Sequence, residues 1–287
     1  MIYFLTVNYY STSLITKLIA SIHNNFHTLS KVVIVNNSVD DLAIRSLQSQ
    51  DITILEPGEN IGFGKACNLG LQWIYSQNQN AIIWIINPDA YFIENIQKKV
   101  NCFFATYPEV SILGTIIYTP NNDIWFAGGC FRRATGTIST QDILSSSDAA
   151  YVQCDWVSGC SLILNCNNFS ECPQFDPIYF LYYEDFDFCQ RYAQQGHIVA
   201  VTKLFRVIHQ PSSITSQNIF NKIKYSTYSY LITLEKYANL FIFFFRLMRL
   251  ILYAVILMLV KPQVAFGKIY GTLLYLKHLL SFCKIHY

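Results

Sequence analysis

The stretch Ala81-Ile82-Ile83-Trp84-Ile85-Ile86-Asn87-Pro88-Asp89 limits the fold of this chain more than any other. Five of its first six residues are aliphatic, and the other is Trp84. A run that is apolar on both alternating faces suits a strand covered from both sides, as in the middle of a parallel sheet. Asn87-Pro88 closes the run, because proline donates no backbone hydrogen bond and restricts the residue before it. Asp89 is thereby delivered at the carboxyl end of the strand, where open α/β sheets place their ligands. Taken alone, Asn-Pro-Asp is also an ordinary turn, so its meaning depends on the rest of the chain.

Similar runs recur along the first 210 residues. Ile2 to Val7 reads as a strand ending at Asn8, Val32 to Val35 as one ending at Asn36-Asn37-Ser38, and Ile52 to Leu55 as a third. Between them, Leu14, Leu18, Ile19 and Ile22 keep helical spacing after the candidate caps Ser11 and Ser13. Asp40 and Asp41 favour the start of a short helix through Leu47. Asn60-Ile61-Gly62-Phe63-Gly64-Lys65 opens another helix, to about Ser76, with a glycine loop whose N–H groups suit phosphate. Strand and helix alternating at short intervals predict an α/β domain with a mostly parallel sheet.

Further on, a helix is expected from about Glu94 to Tyr107 and a strand over Val110 to Tyr118. Residues 120–150 read as loops with a hairpin near Gly128-Gly129. Order returns over Val152 to Leu164, and an aromatic segment, Phe175 to Tyr183, runs into Glu184-Asp185-Phe186-Asp187. A helix from about Asp185 to Gln195 follows, ended by Gly196. Ile198 to Val201 and Val207 to His209 read as two short strands.

From about Asn218 the pattern is helical, and charge is distributed unevenly. No Asp or Glu follows Glu235, whereas Lys236, Arg246, Arg249, Lys261, Lys268, Lys277 and Lys284 do, so the remainder of the chain is acidic. With 52% hydrophobic and 13% charged residues, this suggests a soluble body held against anionic lipid by a basic, apolar tail. The most apolar part, Asn239 to Val260, is the candidate for a span. About sixteen apolar residues contribute roughly −7 kcal/mol, and two arginines roughly +6, which leaves nearly zero. A helix lying in the interface is therefore expected rather than a crossing one, the remaining alternative being a buried helical hairpin in an oligomer.

The start, Met1 to Leu5, lacks a basic region of the kind that opens a secretory signal, and the nine cysteines are read as thiols in a reducing compartment. Cys154, Cys160, Cys166 and Cys172 recur every six residues without a CxxC pair, which argues against zinc and suggests small core residues on one strand face. A dinucleotide fingerprint fits poorly. Cys67 stands where the third glycine after Gly62 and Gly64 belongs, and the element follows the third strand rather than the first.

Seven pieces in order carry a resemblance. They are Val7-Asn8-Tyr9-Tyr10, Val33-Ile34-Val35-Asn36-Asn37-Ser38, Asn60 through Gly70, Ile86-Asn87-Pro88-Asp89, Trp156-Val157-Ser158-Gly159-Cys160, Phe180-Leu181-Tyr182-Tyr183-Glu184-Asp185-Phe186-Asp187, and His209. Together they resemble the inverting family-2 glycosyltransferases of the GT-A fold, most closely their rhamnosyltransferase-like branch. The resemblance implies a Rossmann-like mixed α/β sheet with helices on both faces over residues 1–215, and apolar, membrane-apposed helices over 216–287. It also implies a nucleoside diphosphate sugar as donor, a polyprenyl-diphosphate-linked glycan acceptor, no nucleic acid, and a place on the cytoplasmic face of a bacterial inner membrane.

The resemblance assigns roles residue by residue. Thr6, Asn8 and Asn36 would hold base and ribose, although many relatives carry Asp where this chain has Asn36. Asn60, Gly62, Lys65, Asn68 and Asn87 would complete the donor site. Asp89, at the second acidic place of the family's DxD position, and His209 would hold Mg²⁺ or Mn²⁺ against the diphosphate. Asp185, with Glu184 second, would take the proton from the acceptor hydroxyl, while Asp187 would cap the helix. Trp156, Gly159 and Tyr183 would line the acceptor side. The Asn residues at positions 36 and 87 leave a second expectation open, a non-catalytic GT-A-fold partner in glycan assembly.

Overall fold

The computed structural model describes residues 1–26, 30–210 and 218–285. The chain folds into two compact units. The first comprises Met1–Cys130, Ser139–Ile178 and the chain from Asp185 to residue 210. The second comprises Phe131–Ile138, Tyr179–Glu184 and the C-terminal helices. The boundary expected at residue 215 lies outside the described residues.

The first unit is built on one sheet. Strands β1 (Ile2–Asn8), β2 (Ser30–Asn36), β3 (Ile52–Leu55) and β4 (Ile82–Ile86) pair in parallel in the order β3-β2-β1-β4. Strand β11 (Ser161–Asn165) then runs antiparallel to β4 and to β6 (Val110–Tyr118), and β12 (Ile198–His209) lies parallel to β6. The sheet is therefore mixed, and its long strands other than β11 point the same way. Every residue of β1 is buried, as is β4 from Ile83 to Ile86, so both sheet faces are covered as the apolar run required. Trp84 fits at the centre because its indole N–H donates to Ser161 Oγ at 2.9 Å, which leaves no unsatisfied indole donor in this part of the core. Helix α1 (Thr12–Asn25) packs Ile15, Leu18, Ile19 and Ile22 inward. Helix α2 (Phe63–Gln77) starts at Gly62, whose φ of 85° favours glycine.

Several expectations change. Asn87-Pro88-Asp89 turns the chain into a short strand, β5 (Ala90–Phe92), which pairs antiparallel with the end of β12. Sequence periodicity cannot show three residues of strand, and helix α3 begins only at Gln97 (Gln97–Thr106). Ile198 to His209 is one strand with an irregularity between Thr202 and Arg206, not two. The segment after Tyr118 forms β7 (Ile124–Phe126) on the edge of β6, and then a hairpin of β8 (Gly129–Arg132) and β9 (Thr137–Thr140). Strand β10 (Val152–Gln153) pairs with β12. Cys160 and Cys166 flank β11 rather than sharing a face of it, since each lies one residue outside the strand. Residues 42–47 form a 3-10 helix. Helix α4 (Glu184–Gln194) ends as expected, with His197 N–H bonded to Tyr192 O and Gly196 N–H to Ala193 O around φ 92° at Gly196.

In the second unit, α5 (Ile219–Tyr237), α6 (Leu240–Leu257) and α7 (Pro262–Ile285) pack on one another, α5 with α7 most extensively. A Cβ on Gly271 would stand 2.4 Å from Lys224 O, so only glycine permits this approach of the two helices. Helix α6 turns Phe243, Ala254 and Leu257 inward. Its Arg246 donates to Thr135 O at 2.8 Å and to Thr137 Oγ1 at 2.7 Å, in the hairpin turn. The opposite face exposes Phe241, Phe244, Phe245, Met248, Leu252, Val255 and Ile256. By length and composition α6 is apolar enough to cross a membrane, with a mean hydropathy of 2.3.

Candidate active site

Parallel strands deliver their C-terminal residues to one edge, and because β11 runs the other way it delivers its first residues there. The Asn87 N–H donates to Cys160 O at 3.0 Å, which joins the ends of β4 and β11. Asn8, Asn36, Asn87, Asp89, Gly159 and His209 are thus set along the same edge of the sheet.

Asn8 and Asn36 use their amides on each other and on nearby loops. Asn8 Nδ2 donates to Asn36 Oδ1 at 2.9 Å and to Asp41 Oδ2 at 3.1 Å. Asn8 Oδ1 accepts from the N–H and the hydroxyl of Ser11, at 3.0 and 2.9 Å. Ser11 stands at the N-cap position of α1, but its hydroxyl is spent on Asn8 and does not cap the helix. Asn36 Oδ1 also accepts from Ser38 N–H at 3.1 Å, and the nearby Glu56 carboxyl lies below the usual range mainly because Arg45 binds it. Beside this closed network, Thr6 Oγ1 and Asn37 Oδ1 are buried with no hydrogen-bond partner among the described residues. The amide of Asn37 donates to Gly62 O at 3.1 Å, which ties the second strand end to the glycine loop.

Asp89 and His209 face each other, Nε2 to Oδ1, at 3.2 Å, and both are buried. The Trp125 ring meets the imidazole edge-on with centroids 4.6 Å apart, and His209 Nδ1 has no partner among the described residues. One carboxylate and one imidazole are few ligands, and the described residues contain no group of three metal-ligating side chains. Such a pair fits an ion that takes most of its ligands from substrate phosphate and water, the usual habit of Mg²⁺ and Mn²⁺. Asn87 is only half-buried.

Asp185 opens the first turn of α4. Its Oδ2 accepts from Gly159 N–H at 2.9 Å and its Oδ1 from Phe186 N–H at 2.8 Å. Burial raises its pKa above the ordinary carboxylate value, and these hydrogen bonds oppose the rise without cancelling it. Gly159 lies between Asp185 and Phe63, the first residue of α2. A Cβ there would stand 3.4 Å from Phe63 Cε1 and 3.5 Å from Asp185 Cβ. Burial, followed by the charges of Asp89 and Asp185, drives the Cys160 thiol well above its usual pKa, so both acids act on this one side chain. Asp187 is not a cap. It lies inside the helix, fully buried, and pairs with Arg191 at 2.7 Å.

The other expected residues are more scattered. Asn68 uses its whole amide on the Phe175 backbone, at 2.8 and 2.7 Å, and so holds the aromatic segment to α2. Asn60 Oδ1 accepts from Gly62 N–H at 3.0 Å and shapes the loop. Lys65 is exposed on α2. Trp156 covers Gly129 and packs on Phe126 with centroids 5.2 Å apart. Glu184 is buried and, like Tyr183, belongs to the second unit, where Tyr183 packs on Tyr230. Tyr182 and Tyr183 both hold positive φ, 71° and 66°, a conformation that costs a bulky residue of order 1–3 kcal/mol. The sequence assigns no role to Asn37, Cys160 or Trp125. Asn37 is detectable as the second Asn of a strand-ending pair, but nothing local marks Trp125.

Comparison with known proteins supports this fold. No protein-family profile matches the sequence, and no curated protein is significantly similar to it. Among solved structures, GalNAc-T7 with UDP, GalNAc and Mn²⁺ superposes with a TM-score of 0.59 at 12% identity, covering 82% of this chain and 47% of that one. The mannosyltransferase PcManGT of Pyrobaculum calidifontis, in complex with GDP-Man and Mn²⁺, gives 0.54 at 12% identity, covering 96% and 86%. TarS 1-349 of S. aureus gives 0.52 at 14%, covering 81% and 65%. The chain thus spans about half the length of the GalNAc-T7 chain and just under two thirds of the TarS chain. The fold is that of the GT-A glycosyltransferases.

Proposed function

We propose that this chain is an inverting glycosyltransferase that moves a sugar from a nucleoside diphosphate sugar to an acceptor hydroxyl. The observation that carries this reading is Asp185. It is a carboxylate aimed by a backbone N–H of the β11 edge, raised in pKa by burial, and close enough to Cys160 to share it with Asp89. A general base needs this combination of fixed direction and raised basicity. Asp185 takes the proton from the acceptor hydroxyl as that oxygen bonds the anomeric carbon and the anomeric bond to the diphosphate breaks. One base suffices for such a displacement, so Glu184 supports and does not share the step. Thr6, Asn37, Asn87 and the Asn60–Gly62 loop hold the donor, with Asn8 and Asn36 bracing the strand ends behind them. Asp89 and His209 would hold Mn²⁺ or Mg²⁺, which when bound neutralises charge on the leaving diphosphate.

Rhamnose as the sugar and a lipid-linked bacterial surface glycan as the acceptor follow from the sequence resemblance. A place at the cytoplasmic face of the inner membrane follows from the same resemblance, and association with a membrane surface is supported by α6. Its inward face, with Arg246, is committed to its own unit, and its outward face is apolar. On this reading the helix lies in the interface, with its Arg246 side turned to its own unit. Cosedimentation with anionic vesicles checks this, and Phe244→Asp with Phe245→Asp should abolish it.

The second reading, a non-catalytic partner of glycan assembly, draws on the closed Asn8–Asn36 network, which leaves little amide edge free for a base. Turnover decides between the two. The purified protein, given Mn²⁺ and a panel of nucleotide sugars, should transfer or hydrolyse at least one donor, and Asp89→Asn should raise the metal concentration this requires. A folded protein without turnover on any donor favours the partner reading.

A further inference from the structure

Strand β7, within the first unit, departs from regular pairing at one residue. Ile124 pairs with Tyr118 and Phe126 with Ile117, so three residues of β7 face two of β6 and Trp125 is the extra one. A bulge of this kind leaves its residue out of the ladder and re-aims the side chain, and bulges concentrate beside functional sites. The hairpin that carries Trp125 is braced by the same unit. Thr119 N–H donates to Asp123 O at 2.8 Å and Asn122 N–H to Thr119 O at 2.9 Å across the turn. Arg206 Nη2 donates to Asn122 Oδ1 at 3.0 Å, and its guanidinium lies 4.5 Å over the Tyr118 ring. Phe126, next in the chain, is buried and packs on Trp156. Trp125 itself stays 38% exposed while its ring meets His209, which is buried against Asp89. A single exposed apolar residue needs no explanation, but this one is aimed by a bulge at a buried carboxylate–imidazole pair.

We propose that Trp125 is a substrate-binding residue that covers the C–H face of the donor's sugar ring. Sheet order decides which part of the donor it meets. Neighbouring strands lie about 4.8 Å apart, so three steps from β1 through β4 and β11 put β6, which carries β7, about 14 Å along the edge from the end of β1. The base, assigned to the ends of β1 and β2, is therefore out of reach of Trp125. The groups that Trp125 adjoins, Asp89 and His209, are those assigned to the diphosphate, and the sugar is bonded to that diphosphate on the side away from the nucleoside. A pyranose presents a face of C–H bonds, which the apolar body of an indole covers well. This inference rests on the transferase reading, and it names a residue that tells a nucleotide sugar from the bare nucleoside diphosphate.

The test uses the full chain and its variants Trp125→Ala and Trp125→Phe. Calorimetry in the presence of Mn²⁺ compares a panel of nucleotide sugars with the matching nucleoside diphosphates. Trp125→Ala should weaken binding of the nucleotide sugar about tenfold, the effect of losing roughly 50 Å² of apolar contact, and leave binding of the nucleoside diphosphate unchanged. Trp125→Phe, which keeps an aromatic face, should recover most of the loss. In the parent the nucleotide sugar should shift the tryptophan emission, and Trp125→Phe should lose most of that shift while it still binds. This second readout decides the matter if Trp125→Ala does not fold. Equal weakening of both ligands, or of neither, overturns the inference, as does a full emission shift in Trp125→Phe. Unchanged donor binding beside a raised acceptor KM also overturns it, because that moves Trp125 to the acceptor. A parent that binds no nucleotide of the panel overturns the transferase reading and this inference with it, whereas a parent that binds both ligands beside an equally competent Trp125→Ala overturns only the role of Trp125.

Discussion

Two groups of polar residues stand on the same sheet edge and behave in opposite ways. At the ends of β1 and β2, Asn8 and Asn36 are bonded to each other and to Ser11, Ser38 and Asp41, although Thr6 Oγ1 and Asn37 Oδ1 beside them have no partner among the described residues. At the ends of β4 and β12 and the start of α4, titratable side chains are buried or half-buried. Asp89 and His209 are buried against each other, His209 Nδ1 has no partner among the described residues, and Asp185 is a carboxylate whose pKa burial has raised. Buried polar groups that satisfy one another hold a structure together, and those left short of partners are kept for a ligand or a reaction. We read the first group as a brace and the second as the working end of the proposed site, although the sequence presents both as polar residues at strand ends.

Exchanging Asp185 for Asn should separate the two most sharply. Transfer should fall by about 10²–10⁴-fold, the range a general base supplies, while donor binding persists. Stability should move the other way. A carboxyl whose pKa is raised in the folded state binds its proton more tightly there than in the unfolded chain. Its stabilising contribution is complete below the ordinary value near 3.9 and is lost as pH rises through the raised one. Asp185→Asn should accordingly be more stable than the parent at pH 7 and lose that advantage near pH 4, which denaturant midpoints at the two pH values can resolve. The acid limb of wild-type transfer should lie above the range of an ordinary carboxylate. Equal stability of the two proteins at pH 7 would contradict the reading of Asp185 as a base raised by burial.

Asn8→Ala tests the brace. It removes two donated and two accepted hydrogen bonds at a fully buried position and leaves the partners Asn36, Asp41 and Ser11 short. The expected cost is about 1–3 kcal/mol, read from urea unfolding with an unchanged m-value. Donor KM should change less than stability does. A donor KM that rises tenfold with no loss of stability would move Asn8 from the brace into the binding site.

Much of this contrast is hidden in the sequence for a definite reason. Local pattern shows β1, β2, β3, β4 and β6, because apolar runs and their polar ends are local facts. Ile82–Ile86 and its Asn-Pro-Asp ending stand where the run placed them. Local pattern does not show β5 or the continuity of β12, which exist because each supports the other across a separation of more than a hundred residues. The same holds at the site. In the sequence Gly159 and Asp185 are separate features, and only the fold shows that one donates to the other. Asn68 is expected at the donor, yet its partner, the Phe175 backbone, lies 107 residues away and cannot be seen from the residues around it. Hydrogen-bond satisfaction is a tertiary property, and it is what separates brace from site.

The smallest expected effect is the most specific. Asn36→Asp restores the acid that many relatives of the resembled family carry at this place. In this chain it sets a carboxylate beside Glu56, which already binds Arg45 through two hydrogen bonds of 2.8 and 2.9 Å. Arg45 and Glu56 are well exposed, so solvent screens the repulsion and the loss should stay below about 1 kcal/mol. Salt should shrink it further, and protonation of either acid should remove it, so the variant should match the parent below about pH 4. The double exchange Asn36→Asp with Glu56→Gln removes the second negative charge, and should recover the parent's stability. If Asn36→Asp is as stable as the parent at pH 7 and low salt, Glu56 does not act on this position, and the first strand ends are freer to meet a ligand than the bonded network suggests.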